Sequence, residues 1–378
     1  MEALKRLLGI HTDVAELIRV SREAYRKGHP ELAELVLTRA AALSPKDAGL
    51  HVALAENSYA LGRDDDALES YESAMRLDPA RPEPLLGIAA SLHRMGRASE
   101  AVYYYLAYLE KRPDDVGALL SAASVFQATA QYDAAVEMFE RAAQLDPANP
   151  QVRGQEGQAL YEMGRNDEAI VELSRAVKLG SRDARVFRGL GLALYAQARP
   201  AEARESFERA IDLDPNDPTT HIELAQILND SQPTAEEARA SAEHARRATE
   251  LLRSQKGPRD ELASALWELG WSYYLVGDWK RSVDASRESL ANDPGNAPVR
   301  FNLGLALLRA GKREEALAEY RRASEAVEDL WALSIHGIDD LEATKSTVPD
   351  LPGREEVLAF LSKRFDELKN QRASTAAP

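Results

Sequence analysis

The sequence predicts an all-α solenoid: about nine helical hairpins in a stack, ended by capping helices. Three residue series that share one 34-residue beat predict it. Prolines recur at Pro45, Pro79, Pro113, Pro147 and Pro215, spaced by 34 and once by 68, with Ser181 at the skipped step. Each closes a helical pattern, because proline cannot continue a helix. The second series is Asp13, Asp47, Asp115, Asn149, Asp183 and Asp217, with Arg81 the exception. Such side chains accept hydrogen bonds from the unpaired N–H groups of a helix start, so they mark N-caps. Pro82, Pro150 and Pro218 follow at the first helical position, where a missing N–H costs nothing. The third series is Ala33, Ala67, Ala101, Ala135, Ala169 and Ala203, echoed by Ala40, Ala74, Ala142, Ala176 and Ala210. Between them stand Leu37, Tyr71, Tyr105, Phe139, Leu173 and Phe207. The small residues let the two helices of a hairpin approach, and the large one fills the space against the next repeat. Gly28, Gly62, Gly96 and Gly164 mark the turn inside the hairpin.

Taken in order, residues 1–13 read as an N-terminal capping segment. Within it, residues 3–10 suit a short helix over the first repeat, the alternative being an amphipathic membrane anchor. Repeats one to seven fill 14–252. The first six run without insertion to about residue 217, and the seventh opens at Pro218. Aligning Ala245 and Ala248 with the alanine series requires about four extra residues near 229–233. Residues 253–262, containing RSQKGPRD, read as a loop or linker, either a flexible joint or an ordinary longer loop. Repeats eight and nine fill 263–330. Ser282, Ser286 and Ser289 replace the apolar ladder of the eighth, which predicts its loosest packing. Residues 331–370 read as C-terminal capping helices broken at 348–353, and 371–378 as a disordered tail.

Fragments such as ALYEMGRNDEAIVELSRAVKLG and LGLALLRAGKREEALAEYRRA carry a small pair in the first helix, then Tyr or Leu, Gly, Ala, a large residue and Ala. In this pattern, over roughly 14–326, the chain resembles the tetratricopeptide-repeat (TPR) family. The resemblance implies a right-handed superhelix whose first helices line a concave groove that holds a peptide or partner helix. It places Arg22, Tyr25, Tyr59, Tyr161, Tyr195, Trp267, Trp271, Tyr274, Phe301 and Leu305 at inward positions as a partner-binding groove. Three of the four tryptophans fall between 267 and 279. The lysine and asparagine set of the family's carboxylate-clamp members is missing from any three successive repeats, so an apolar or amphipathic ligand is expected instead.

Composition narrows the chemistry. With 47 Lys and Arg against 62 Asp and Glu, the net charge is −15, which repels a phosphate backbone and argues against nucleic acid. There is no cysteine, hence no disulfide, thiolate metal site or cysteine nucleophile. No apolar run is long enough to insert in a membrane. None of the seven histidines forms an HExxH motif. Gly189-Leu-Gly191 lacks the third glycine of a dinucleotide loop, Gly311-Lys312 is a repeat turn, and Asp64-Asp65-Asp66 lacks calcium-loop spacing. The expectation is a protein that is no enzyme, binds no metal and uses no cofactor. It would act as a cytoplasmic adaptor for a protein partner; the alternative is a self-assembling scaffold, a homo-oligomer. The alanine, arginine and aspartate usage points to a high-GC bacterial genome.

Overall fold

The computed structural model describes residues 13–230, 233–327 and 330–375. The expected capping segment 1–13 therefore lies outside the described residues except for Asp13. Among the described residues every regular element is helical, and the fold is an all-α repeat solenoid. The helices fall into two compact units, residues 1–182 and 183–378.

The first unit holds five hairpins: α1 Val14–Arg26 with α2 Pro30–Leu43, α3 Ala48–Ala60 with α4 Asp64–Leu77, α5 Glu83–Arg94 with α6 Ala98–Lys111, α7 Val116–Ala128 with α8 Tyr132–Leu145, and α9 Pro150–Glu162 with α10 Asn166–Lys178. Asp13, Asp47, Asp115 and Asn149 each accept a backbone N–H of the helix they precede. Pro82 itself caps α5 without a side-chain bond, which accounts for Arg81 as the exception. Ala33, Ala67, Ala101, Ala135 and Ala169 are at most 1% exposed, and Tyr71, Tyr105, Phe139 and Leu173 are buried with them. Gly28, Gly62, Gly96 and Gly164 turn the hairpins at positive φ. Ala130 takes the same place in the fourth hairpin at φ 56°, a conformation that costs an L-residue about 1 kcal/mol or more.

The second unit holds four hairpins: α11 Ala184–Ala196 with α12 Pro200–Leu213, α13 Pro218–Asn229 with α14 Ala235–Gln255, α15 Arg259–Leu275 with α16 Trp279–Asn292, and α17 Ala297–Arg309 with α18 Arg313–Ala326. Ala198 repeats the positive-φ alanine, at φ 55°. Thr234 and Glu237 form a reciprocal capping box that starts α14. Three expectations need correction here. Residues 253–262 are neither a linker nor a long loop. Helix α14 continues to Gln255 and α15 begins at Arg259, so only three residues separate them. Lys256 closes α14 in the left-handed region, and the Gly257 N–H bonds to the Leu252 carbonyl at 2.8 Å. The serine ladder is not loose either. Ser282, Ser286 and Ser289 are at most 2% exposed, the Ser289 hydroxyl donates to the Ala263 carbonyl at 2.8 Å, and Ser286 sits against Gly270. A serine that spends its hydroxyl on a carbonyl packs like alanine. Last, the final helix runs through residues 371–375, the first part of the expected tail; residues 376–378 lie outside the described ones.

After α18, Leu330–Ala332, a π-helical stretch Leu333–Asp339 and Asp340–Thr347 run on without interruption, and Arg354–Thr375 follows. Leu333, Leu341, Leu351, Val357 and Leu361 join one core with Val299, Phe301, Leu303, Leu305 and Leu308 of α17. Exposed ion pairs also stitch successive hairpins: Arg63 to Glu34, Arg94 to Asp64, Arg253 to Glu288, and Arg287 to Glu315.

Candidate partner-binding surfaces

In the first unit, α1 and α3 stand side by side with α2 behind them and enclose a cleft of about 700 Å³. Ile18, Ala33, Leu37, Leu50 and Ala53 give it an apolar floor. Gly49 and Ala53 put little side chain into it from α3. Tyr25 forms a wall and is 53% exposed, large for a tyrosine at a packed hairpin. Arg22, Arg26 and Arg81 lie on the rim, facing Asp47 and Glu56. Asp47 is already committed as the N-cap of α3. Burial, and then the charge of Glu83, hold the Glu56 carboxyl above its usual range. Asn57 is 3% exposed; its amide donates to the Pro30 carbonyl at 3.0 Å, and its Oδ1 has no hydrogen-bond partner. Tyr59, on the same helix, lies under the Arg94 guanidinium at 3.6 Å from the ring centroid, so its face is taken. Tyr161 is half-buried in α9.

In the second unit Tyr195 donates its hydroxyl to Asp230. The Asn229 amide donates to Glu268 Oε2 at 2.9 Å, and Ser272 links Asn229 to Ser241. Burial pushes Glu268 up to about 7, with help from Asp230 nearby. Burial does the same to Glu223, also to about 7, against the pull of Arg188 at 3.6 Å. Behind this face His221 and His244 meet with their Nδ1 atoms 3.0 Å apart, and the other His221 nitrogen donates to the Pro215 carbonyl at 3.2 Å. Burial holds both below the ordinary histidine range, with the charge of Arg247 adding to it at His221 and that of His221 at His244, which is lowered to about 4. Sequence spacing gave no hint of this pair, because 23 residues and a lengthened turn separate its members. The available signal was Ala245, which fixes the adjacent His244 near the hairpin interface.

The tryptophan-rich stretch expected to line the groove is covered by the chain itself. Trp267, Trp271 and Tyr274 are only partly exposed and pack on the C-terminal core. Phe301 is 0% and Leu305 1% exposed, so these two form core and not an open groove. The reason is the π-helical stretch: Gly337 lies so close to Phe301 that a Cβ there would be 3.3 Å from its ring, and His336 sits edge-on to Trp267 and Trp331. Trp271 stacks on Tyr274 at 5.0 Å, and Arg309 lies 4.2 Å over Trp279. Among the described residues no cluster of three metal-ligating side chains occurs, and no helix is long and apolar enough to cross a membrane.

Sequence models of the tetratricopeptide repeat match residues 21–82, 155–218 and 268–329, and a second model of that repeat matches 116–149. No curated protein shows significant sequence similarity to the chain. Among solved structures, a tetratricopeptide-repeat protein from Parabacteroides merdae superposes with a TM-score of 0.54 at 18% identity, covering 67% of this chain and 98% of that one. The Cut9–Hcn1 hetero-tetramer of the APC/C gives 0.49 at 16% identity over 88% of this chain and 62% of that one. YrrB, described as a TPR protein with an unusual peptide-binding site, gives 0.44 at 21% identity over 49% and 95%. At these identities the likeness is one of fold.

Proposed function

The chain belongs to the tetratricopeptide-repeat family, and from that premise we propose that it is a non-catalytic cytoplasmic adaptor holding a segment of a partner protein in the cleft between α1 and α3. A role as a protein-interaction scaffold comes with the repeats. The finer reading rests on one observation: Tyr25 is 53% exposed on the wall of an apolar cleft of about 700 Å³. That volume suits a few side chains of an inserted segment, and an exposed aromatic beside arginines is the composition of a binding hot spot. The C-terminal groove is the weaker candidate, because the chain's own Leu333–Asp339 already lies on it.

The test is capture from native lysate by the tagged wild type and by Ala53→Trp, which fills the cleft from its floor. Circular dichroism first establishes equal helicity. A partner lost with Ala53→Trp supports the reading, and an unchanged set of partners sinks it. Trp331, 62% exposed next to the C-terminal core, favours self-assembly as a second reading. That reading requires oligomers that grow with concentration and disappear in Trp331→Ser.

A further inference from the structure

We propose that the segment taken by the α1–α3 cleft is acidic, with apolar residues for the floor and carboxylates for the rim; this rests on the cleft reading above. The argument is one of unspent charge. The protein carries a net charge of −15, and many of its arginines are paired with neighbouring carboxylates, as Arg97 is with Glu100, Arg165 with Glu168 and Arg199 with Glu202. Arg19 shows the pattern on α1 itself, bonded to Glu16 at 2.6 Å and close to Glu23. Glu23 is in turn bonded to Lys27 at 2.7 Å.

The cleft arginines differ. Arg22 and Arg26 have no ion pair among the described residues, and the Arg26 side chain reaches only the Arg22 carbonyl, at 3.4 Å. Arg81 has carboxylates no nearer than 3.8 Å, from Glu83 and Asp78, beyond hydrogen-bond reach. Three guanidinium groups without a hydrogen-bonded carboxylate thus surround one apolar cleft. The facing acids offset them only in part: Asp47 is turned to its helix N-terminus, and burial and Glu83 disfavour Glu56 as an anion by more than the Arg81 charge favours it. A guanidinium offers a planar fork of donors that matches a carboxylate, and an acidic segment would supply what the chain does not.

The experiment is calorimetric titration of the full chain with two synthetic decapeptides. One alternates aspartate with leucine and phenylalanine, and its twin has lysine for every aspartate. The acidic peptide is expected to bind the wild type at least tenfold more tightly than the lysine twin. It is expected to weaken at least tenfold in Arg22→Glu/Arg26→Glu, two exposed positions whose exchange leaves the core untouched. The proposal is overturned if the wild type does not bind the acidic peptide. It is also overturned if the lysine twin binds as well, or if the double exchange leaves the affinity unchanged. Ala53→Trp separates the two levels: if it abolishes binding of whichever peptide binds, the cleft stands and only the acidic preference has failed. If it leaves acidic-peptide binding intact, the cleft itself is the wrong place.

Discussion

The ring of Tyr71, midway along the second helix of the second hairpin, lies so close to the bare backbone of Gly87 in the third that a Cβ there would sit 2.1 Å from Cζ. Both belong to the stacking contact between α4 and α5. Gly87→Ala should raise helix propensity by about 1 kcal/mol and still destabilise, because overpacking costs about 1–3 kcal/mol and Tyr71 is 5% exposed with nowhere to turn. Urea unfolding of the variant, and of the pair Gly87→Ala/Tyr71→Leu, checks this. A stabilised single variant, or no rescue by the pair, would refute the packing argument.

Ala130 and Ala198 hold the left-handed turn that glycine holds in their sister hairpins. Their conversion to glycine should stabilise by about 0.5–1 kcal/mol each, the relief of strain less the added flexibility of the unfolded chain. The melting temperature of Ala130→Gly/Ala198→Gly should exceed that of the wild type.

The His221–His244 contact sets an acid limit. Both folded pKa values lie below the free value near 6.5, so the unfolded chain takes up protons first and stability falls as pH drops below about 6.5 toward 4. Above pH 6.5 both rings are neutral and the pair contributes fully. For His244 the loss on reaching pH 4 should be about 3 kcal/mol. Melting between pH 7 and 4 should show a shallower decline in His244→Leu than in the wild type, and parallel declines would contradict the assignment.

Glu268 pulls the other way. Its folded pKa of about 7 lies above the free value of 4.5, so the fold favours the neutral acid. Its contribution is complete below pH 4.5 and is lost as pH rises through 7. Glu268→Gln keeps an acceptor for Asn229 and removes the buried charge. It should therefore stabilise by about 1–2 kcal/mol at pH 8.5 and leave stability at pH 5 nearly unchanged. Paired denaturation curves at the two pH values decide it.

Phe301 and Tyr25 share the same predicted inward class and should behave oppositely. Phe301→Ala should cost about 3–5 kcal/mol, since the ring is fully buried between α17 and the C-terminal helices. Tyr25→Ala should change stability by less than about 1 kcal/mol because half its surface is in solvent. Equal costs would mean the inner face is open, or covered, at both ends.

This contrast shows where sequence reading reaches. Helix starts were legible because capping is local chemistry: Asp13, Asp115 and Asn149 find their N–H partners within three residues. The alanine ladder was legible because each hairpin repeats the same contact. Phe301 and Leu305 were misread because a repeat pattern says which way a side chain faces, not what later covers it, and the cover comes from an aperiodic segment. Residues 253–260 looked like a linker because charge and one glycine–proline step suit a loop. The same charges suit the solvated face of two helices that run longer than their siblings. Within the cleft, the pattern identified Arg22 and Tyr25 but not Arg81 or Asn57, which lie outside the inward positions.

The ion pairs that bridge successive hairpins have a mechanical consequence. Each is exposed and worth less than about 1 kcal/mol, so none decides whether a hairpin folds. Yet each spans a joint, and a joint is where a stacked array bends. Salt that screens Arg63 from Glu34 or Arg287 from Glu315 leaves the buried alanine seams intact and slackens only the straps across them. Within each unit the array is then a spring whose stiffness follows ionic strength while its melting point hardly moves.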